Sequence, residues 1–305
     1  MSDSTASLQR QIGSATELQS VVRTMRALAA SSISQYEAAV RALAHYHEAV
    51  DLGLGACLRA QQAQPTPPST PVAAARHTAG GVGAVVFGSD QGLVGQFNDV
   101  LAEHAIQTLA RLPGQPLVWA VGERVRARLE SAGLPLLGSY DVPNTVGAIA
   151  PLVGRLQFDT ETHPAQLAAP HMLVFHNRPL PGALYEPTCR RLLPLDAHWQ
   201  TELVQKRWPN HCLPEVMGQD GATLRALVRE YLFISLFQAC AESLTSENAS
   251  RLAAMQRADK NIDELLTDLQ ARFHSLRQRA IDEELFDVSA GYEALAVPVY
   301  GRAGR

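Results

Sequence analysis

The sequence has little basic charge and few of the residues that hold metals or form disulfides. Of its 26 cationic side chains only two are lysines, Lys206 and Lys260, and the formal net charge is −4. This balance gives no electrostatic reason to expect a nucleic-acid partner. The cysteines are far apart and form no CxxC pair; they are Cys57, Cys189, Cys212 and Cys240. They are predicted to be reduced thiols of a cytosolic protein, which excludes a disulfide framework or a zinc site.

Long apolar runs and catalytic motifs are also missing. No run approaches the roughly 20 apolar residues of a membrane-spanning helix, and residues 1–13 lack the basic and apolar parts of a signal peptide. No GxSxG or HExxH motif occurs. His45 and His47 would point to different faces of a helix, which does not suit a shared metal ion. The sequence predicts a soluble, non-enzymatic protein without catalytic, cofactor-binding or metal-binding residues, although docking on a membrane complex stays open.

The longest uninterrupted stretch lies near the end of the chain, where no Gly or Pro occurs between Thr223 and Ala290. Apolar and small residues recur there at alternating steps of three and four, the spacing of a coiled-coil seam. The seam consists of Leu244, Asn248, Leu252, Met255, Asp259, Ile262, Leu266, Leu269, Phe273, Leu276 and Ala280. A helix from about Thr223 to about Tyr292 would be on the order of 100 Å long and would need a partner along this seam.

The same spacing occurs at the other end of the chain. Its positions are Leu8, Ile12, Ala15, Leu18, Val22, Met25, Ala29, Ile33, Tyr36, Val40, Leu43, His47, Val50 and Leu54. Gly53 and Gly55 are predicted to weaken this helix near its C-terminus. One apolar stripe on each terminal helix indicates that the two helices pair. The sequence therefore predicts a long antiparallel coiled coil of the N- and C-terminal helices, with everything between them as an insertion.

The insertion has the pattern of a small α/β domain. Strands are predicted at residues 83–87, 117–121, 134–137, 172–176 and 185–193, and helices at 98–112, 123–132 and 145–158. Strands that alternate with helices favour a mostly parallel, Rossmann-like sheet, and residues 195–221 are predicted to be irregular. The predicted domains are an N-terminal coiled-coil helix (1–60), a Pro/Ala-rich linker (61–81), the α/β domain (82–215) and a C-terminal coiled-coil helix with a tail (216–305).

A glycine-rich turn, GSDQGLVGQFN at residues 88–98, follows the first predicted strand. A phosphate-binding loop would lie at this place. However, Gly88, Gly92 and Gly95 do not form GxGxxG, and the GK[ST] of a P-loop is missing. A structural turn that includes Asp90 is therefore favoured over nucleotide binding, and Asn98 is predicted to be the N-cap of the following helix.

Three separated segments together resemble the gamma subunit of F-type ATP synthases. Residues 8–31, LQRQIGSATELQSVVRTMRALAAS, are similar to the first helix of that family, and residues 88–98 to its Gly-Ser-Asp-Arg-Gly-Leu-Cys-Gly-Gly-Phe-Asn turn. Residues 242–261, ESLTSENASRLAAMQRADKN, and 276–285, LRQRAIDEEL, are similar to its most distinctive segment. The segments occur in the family's order, and the chain is identified as a member of this family.

The resemblance implies a rotor without activity of its own. In the family both terminal helices form an asymmetric coiled coil inside the head of alternating alpha and beta subunits. The α/β domain lies on the membrane ring of c subunits, beside the epsilon subunit. Residues 294–300 would form the tip of the shaft. The complex would be a proton- or sodium-translocating ATP synthase or ATPase at the cytoplasmic face of a bacterial inner membrane, with the ion and the direction left open.

The resemblance also assigns residues to the contact with the head. They are Met25, Arg26, Arg251, Arg277, Gln278 and Asp282. Met25 matches a methionine that faces a helix–turn–helix of the beta subunit. Arg and Gln suit a rotor contact because they donate several directed hydrogen bonds that can be exchanged. Ordinary surface charge on a coiled coil is the alternative for these positions.

The chain departs from the family pattern at several positions. Ser32 replaces a lysine and Asp282 a threonine, while Gln91 and Val94 replace the Arg and Cys of the turn. WPNHCLPE at residues 208–215 stands where many members have a Tyr-rich segment thought to touch the c ring. These departures are typical of a divergent branch, and the alternative bacterial ATPases that pump sodium are one candidate. A competing hypothesis is a coiled-coil scaffold with a nucleotide-binding α/β module, which predicts a phosphate ligand at the turn.

Overall fold

The structure is a computed structural model that describes residues 4–63, 81–162, 171–180, 183–210, 212, 214–216 and 221–295. Most of the predicted linker and most of the predicted shaft tip lie outside these residues. The elements are α1 (Thr5–Ala63), β1 (Val82–Phe87), α2 (Phe97–Leu109), β2 (Pro116–Val121), α3 (Glu123–Ser131), β3 (Leu136–Tyr140), α4 (Ile149–Thr162), β4 (His171–Leu180), β5 (Ala183–Leu193), α5 (Ala197–Gln205) and α6 (Ala222–Leu295). Within the described ranges, no helix is both long enough and apolar enough to cross a bilayer.

The contacts within the chain divide it into two units, and each is described by itself. The helix-pair unit consists of residues 1–27 and 255–305, and the sheet unit consists of residues 28–254. The first part of α1 and the last part of α6 therefore belong to the helix-pair unit. The remaining parts of both helices belong to the sheet unit.

In the helix-pair unit, α1 and α6 run antiparallel along a seven-residue repeat. Gln19 contacts Asp263, while Arg26, further along α1, contacts Asp259, which comes earlier in α6. The buried apolar positions of the repeat are Leu8, Ala15 and Val22 on α1 and Met255, Ile262 and Leu269 on α6. All six are seam positions predicted from the sequence.

One predicted seam position of α1 is wrong. Leu18 is 55% exposed, whereas its neighbour Gln19 is 7% exposed. A strict seven-residue repeat that starts at Leu8 places Gln19 on the buried stripe, four residues after Ala15. The polar side chain is accommodated there because the carboxylate of Asp263, on the opposite helix, accepts a hydrogen bond from its amide.

The sheet unit is built on five strands in the order β3-β2-β1-β4-β5. β1 pairs in parallel with β2 and with β4, and β2 pairs in parallel with β3. Only the pairing of β4 with β5 is antiparallel among the described strands. Every residue of the central strand β1 is buried. The predicted fold class, a mostly parallel α/β domain between two long terminal helices, is confirmed.

Helices cover both faces of the sheet. α2 and α3 pack on one face around Phe175. α4 and parts of α1 and α6 pack on the other face, where Tyr36 and Trp119 belong to one core. A smaller core that includes Leu54 and Leu203 joins α1, α5 and α6. In the sheet unit the two terminal helices are therefore core elements of the domain.

Two local expectations are wrong. The segment 195–221 contains helix α5, because the Asp196 carboxylate accepts hydrogen bonds from the amides of His198 (2.8 Å) and Trp199 (3.2 Å) and so caps its amino end. The third strand spans Leu136–Tyr140, not residues 134–137. The first helix continues through Gly53 and Gly55, which lie near its C-terminus, and ends at Ala63; whether the two glycines weaken it stays a prediction.

Candidate functional site

The glycine-rich turn at residues 88–98 is closed by hydrogen bonds of its own residues. The Ser89 amide donates to Asn98 Oδ1 over 3.0 Å, and Asn98 Nδ2 donates to Ser89 Oγ over 2.8 Å. The predicted N-cap role of Asn98 is wrong, because α2 begins at Phe97 and Gln96 occupies the cap position. Asn98 instead holds the two ends of the turn together.

Asp90 joins the turn to the amino end of α3 and to the residues that follow β3. Its Oδ1 accepts a hydrogen bond from the Glu123 amide over 2.9 Å, and its Oδ2 accepts one from the Val142 amide over 2.8 Å. A carboxylate at a helix N-terminus is favoured by the helix dipole. The amino end of α3, where an added anion would otherwise be attracted, is therefore already occupied by a carboxylate of the chain.

The glycines of the turn differ in what they require. A Cβ at Gly88 would lie 2.4 Å from the Cβ of Val125, so α3 approaches the end of β1 only because no side chain is present. Gly95 has a φ of 60°, a left-handed conformation that favours glycine. A Cβ at Gly92 would meet the Arg124 guanidinium at an ordinary contact distance of 3.6 Å. The close approach of α3 thus explains Gly88, and the left-handed backbone explains Gly95, whereas neither reason applies to Gly92.

The distinctive segment 242–261 docks on the sheet through two serines that sequence reasoning missed. Ser243 Oγ donates to the carbonyl oxygen of Phe87 over 2.8 Å, and Ser246 Oγ donates to that of Asn177 over 2.9 Å. Phe87 is the last residue of β1, and Asn177 lies beside this end on β4. The signal in the sequence was a pair of small hydroxyl residues three apart on one helix face.

A buried His–Glu pair lies next to these serines. His176 Nε2 and Glu242 Oε2 are 2.8 Å apart, and Gln238 Nε2 donates to Glu242 Oε1 over 2.7 Å. Burial acts to raise the pKa of Glu242, but the hydrogen bonds from His176 and Gln238 outweigh it, so the pKa lies below its ordinary value. The pair therefore fixes an ionised α6 carboxylate on β4 at neutral pH.

Arg251, one of the predicted head-contact residues, has a nearly buried side chain in the sheet unit. Its Nη2 lies 2.6 Å from Glu247 Oε1, one turn earlier on α6, and the two side chains are only 12% and 7% exposed. Burial raises the pKa of Glu247, and the charge of Arg251 offsets this only in part. Arg251 thus pairs with a buried carboxylate of its own helix, and its contact with a partner stays a prediction.

Arg26, a second predicted head-contact residue, belongs to a charged cluster in the helix-pair unit. The Asp259 carboxylate accepts hydrogen bonds from Arg23 Nε over 3.0 Å and from Arg26 Nη1 over 2.8 Å. The Asp259 side chain is 11% exposed, whereas about half of each guanidinium-bearing side chain is open to solvent. Met25 is half-buried beside Arg26. The cluster satisfies a buried acid and leaves part of both arginines accessible.

The remaining predicted head-contact residues lie on an exposed stretch of α6. Arg277, Gln278 and Asp282 are exposed, as is every residue from 277 to 292. The stretch also presents large apolar side chains, which are Ile281, Leu285, Phe286, Val288 and Tyr292. The described part of the chain contains no group of His, Cys, Asp and Glu residues that could hold a metal ion. The structure thus combines polar and apolar side chains on one uncovered helical surface.

Comparisons with known proteins agree with this architecture. A family model described as ATP synthase matches residues 4–295. The ATP synthase gamma chain of Syntrophus aciditrophicus (strain SB) is 25% identical over 304 residues, which cover 95% of this chain and 97% of that protein.

Solved structures show the same fold. A chain in the rotor of the Euglena gracilis mitochondrial ATP synthase has a TM-score of 0.60 at 13% identity, covering 91% of this chain and 98% of that chain. A chain in an OSCP/F1/c-ring structure of the same enzyme has a TM-score of 0.62 at 12% identity, covering 99% of both chains. Because the family model spans almost the whole sequence and the curated relatives are gamma chains, this chain belongs to the ATP synthase gamma-chain family.

Proposed function

We propose that this chain is the central-stalk rotor subunit of an F-type ATP synthase or ATPase. It would couple rotation of a membrane c ring to conformational change in a catalytic alpha/beta head. Family membership supports the proposal, and so does the likeness in fold to a chain of the Euglena rotor. In this role the chain performs no catalysis itself, and the nucleotide chemistry belongs to the head.

The observation that carries the proposal is the exposed stretch of α6 at residues 277–292. Leu285, Phe286 and Val288 are 66%, 75% and 74% exposed. Large apolar side chains grouped on a surface indicate a partner that covers them. A single helix that no described residue covers on any side needs a partner that surrounds it, and a ring of alpha and beta subunits has this form.

Coupling follows from unequal contacts around such a shaft. At each rotor angle the same α6 surface faces a different subunit of the ring. A contact whose free energy differs between two head conformations shifts their equilibrium, and with it the nucleotide affinity. Arg277 and Gln278 supply hydrogen bonds that can be exchanged between successive positions, and Asp282 supplies a charge. Met25 offers a flexible apolar contact from α1.

Arg26 and Arg251 would take part in a different way. Each already forms an ion pair within the chain, with Asp259 and Glu247 respectively. Arg26 retains exposed donors for a second partner, because its side chain is 43% exposed. Arg251 is far less accessible, so its effect on the head would be exerted mainly through the position of α6.

The turn at residues 88–98 is proposed to be structural. The amides of Ser89 and Glu123, which would be donors for a phosphate, already have Asn98 and Asp90 as acceptors. This favours the rotor over a scaffold with a nucleotide-binding module. The same turn positions the end of β1 against which α6 docks.

The complex is proposed to contain alpha and beta subunits, an epsilon subunit and a c ring, and no nucleic acid. The c ring and F1 are named for the matched Euglena structure. The curated relatives are bacterial gamma chains, for example that of Syntrophus aciditrophicus. We therefore place the chain at the cytoplasmic face of a bacterial inner membrane, as a peripheral subunit.

Co-purification of a tagged chain from its native host tests the function. One copy with alpha and beta subunits, and ATPase activity only in the assembly, is the expected result. The double variant Arg277→Ala, Gln278→Ala should still assemble but hydrolyse ATP about fivefold more slowly or worse, because rotor–head contacts of this kind carry on the order of 1 kcal/mol or more of coupling. Arg111→Ala, exposed in the sheet unit, is the matched control. A chain that purifies alone and holds a nucleotide would overturn the proposal.

A further inference from the structure

The two edges of the five-stranded sheet differ in how they are shielded. Edge strands present unpaired backbone groups, and proteins commonly shield them with charged residues and proline. One edge strand, β5, contains Pro187 and three charged residues, which are Glu186, Arg190 and Arg191. The other edge strand, β3, has the sequence LLGSY and contains neither a charged residue nor a proline. The β3 edge is therefore the unshielded one.

The backbone of β3 directs hydrogen-bonding groups away from the sheet. β3 pairs regularly with β2 from Gly138 to Tyr140, whereas Leu137 is left out of the pairing. The Tyr140 carbonyl oxygen accepts a hydrogen bond from the Gly122 amide over 2.8 Å, so it points toward the β2 side. Backbone groups point to alternate sides along a strand, and the N–H and C=O of Ser139 therefore point to the open edge. Ser139 is also exposed, so a further strand would find a donor and an acceptor there.

A polar cavity of about 540 Å³ lies beside this edge, between β3 and α4. Trp119 and Tyr140 contribute aromatic rings to its wall. A Cβ at Gly138 would lie only 2.9 Å from Trp119 Cδ1, so the indole reaches the edge strand only because β3 has no side chain at this position. The cavity thus offers flat aromatic surface directly next to the open backbone of Ser139.

Arg155, on α4, brings a positive charge to the cavity. Its guanidinium carbon lies 5.6 Å from the centroid of the Tyr140 ring. Asp159, one turn later on α4, has the spacing that favours an ion pair with Arg155, but it accepts a hydrogen bond from the Tyr140 hydroxyl instead. None of the ion pairs within the described ranges includes Arg155. The cavity therefore suits a carboxylate from a partner.

Exposed apolar side chains flank the cavity. Phe158 is 63% exposed and Leu137 is 37% exposed. Phe158 lies beside Arg155 on the surface of α4, because it follows three residues later. Aromatic and arginine side chains are enriched in protein–protein interfaces. Their grouping next to an unshielded strand indicates a protein partner.

We propose that the β3 edge is a docking site for an extended, acidic segment of another protein. The segment adds to the sheet as a further strand through the backbone of Ser139, places a carboxylate against Arg155, and covers Phe158 and Leu137. In strand addition the main-chain hydrogen bonds supply affinity, and side-chain pockets beside the edge supply specificity. This docking concerns the sheet unit alone and does not depend on the proposed rotor function.

Photo-cross-linking in the native host tests the docking site. A tagged full-length chain carries p-benzoylphenylalanine in place of Leu137 or, as the matched control, in place of Leu184, which is 45% exposed on the shielded edge. Cells are irradiated before the tagged chain is purified, and mass spectrometry identifies the joined peptide. We expect the probe at Leu137 to join one segment of a different protein, a segment that contains Asp or Glu, and the probe at Leu184 to leave it unmodified. A product that joins two copies of this chain, or no product at Leu137, would overturn the proposal.

Variants at Ser139 and Arg155 test how the segment is held. Ser139→Pro removes the outward N–H and should lower the yield of the Leu137 product about threefold or more, whereas Ser139→Ala, which keeps this donor, should not change it. Arg155→Glu should lower the yield about tenfold or more, and Arg155→Lys much less. Because Arg155 is exposed, its variants should fold even where Ser139→Pro does not. An unchanged yield in Arg155→Glu would contradict the proposal, as would equal yields in folded Ser139→Pro and Ser139→Ala.

Discussion

The sheet unit and the helix-pair unit are stabilised in different ways. In the sheet unit, large side chains such as Phe87, Trp119 and Phe175 are fully buried between two layers of helices. In the helix-pair unit the buried stripe contains a small residue, Ala15, and a buried acid, Asp259. One unit thus has a three-dimensional core, while the other has a single line of contacts.

This difference indicates which part of the chain depends on partners. Hydrophobic stabilisation scales with the apolar area that is removed from water, at about 25 cal/mol per Å². Two paired helices bury one stripe each and leave their outer faces in solvent. We therefore expect the sheet unit to fold without partners, and the helix-pair unit to gain much of its order inside a complex.

The largest expected effect is the loss of a buried leucine from the sheet unit. Leu156 is completely buried, so Leu156→Ala should lower the free energy of unfolding by about 2–5 kcal/mol. Leu269→Ala, in the helix-pair unit, should cost less, because the open seam can collapse around the smaller side chain. Urea unfolding followed by tryptophan fluorescence, to which buried Trp119 contributes, measures the first effect. Hydrogen exchange in the paired segments measures the second. Leu112→Ala, at a partly exposed position, is the control. Equal losses of stability in Leu156→Ala and Leu269→Ala would contradict the difference between the two units.

Sequence periodicity predicted most of this architecture, because both the strands and the seam repeat at regular steps. It failed where a distant partner decides the outcome. Gln19, and not its neighbour Leu18, lies on the buried stripe because its amide bonds to Asp263, which is far away in the sequence. Helix α5 is capped locally by Asp196, but its C-terminal carbonyls accept hydrogen bonds from Arg59, which is also far away in the sequence.

The candidate site was predictable to a similar degree. The turn residues were found from their glycines and Asp90, but the docking serines were not, since a serine on a helix has no partner until the end of β1 is placed beside it. Arg277 and Gln278 are exposed, as a contact surface requires. The inward orientation of Arg251 could not be predicted, because Glu247 at one turn's distance would pair equally well on a solvated face.

A smaller effect should follow from breaking the charged cluster of Arg23, Arg26 and Asp259 in the helix-pair unit. Asp259→Ala removes the carboxylate that Arg23 and Arg26 share and leaves Arg23 with only Asp263, at 3.6 Å. The loss should destabilise the pairing by about 1–2 kcal/mol, less than the loss of a fully buried pair would, because both arginines reach solvent. Asp268→Ala is the control: Asp268 lies 2.7 Å from Arg272, but both side chains are more than half exposed, so its loss should cost under about 0.5 kcal/mol. Hydrogen exchange of the amides at residues 15–27 reports both effects. Equal exchange rates in Asp259→Ala and Asp268→Ala would mean that the charged cluster does not stabilise the helix pair.

The smallest effect concerns pH and the carboxylate that fixes α6 on β4. The pKa of Glu242 is lower in the folded chain than its ordinary value of 4.5. A carboxyl whose pKa is lowered by folding stabilises the fold at pH values above its pKa in the unfolded chain. This contribution is lost as the pH falls through its pKa in the folded chain. Glu242→Gln should therefore be less stable than the wild type at about pH 6, and the difference should shrink as the pH is lowered toward about pH 3. Urea midpoints at several pH values measure this, with Glu103→Gln, exposed on α2, as the matched control. A difference between wild type and Glu242→Gln that stays constant across this range would show that the pair acts through shape and hydrogen bonding alone, and that the sheet unit holds α6 without help from charge.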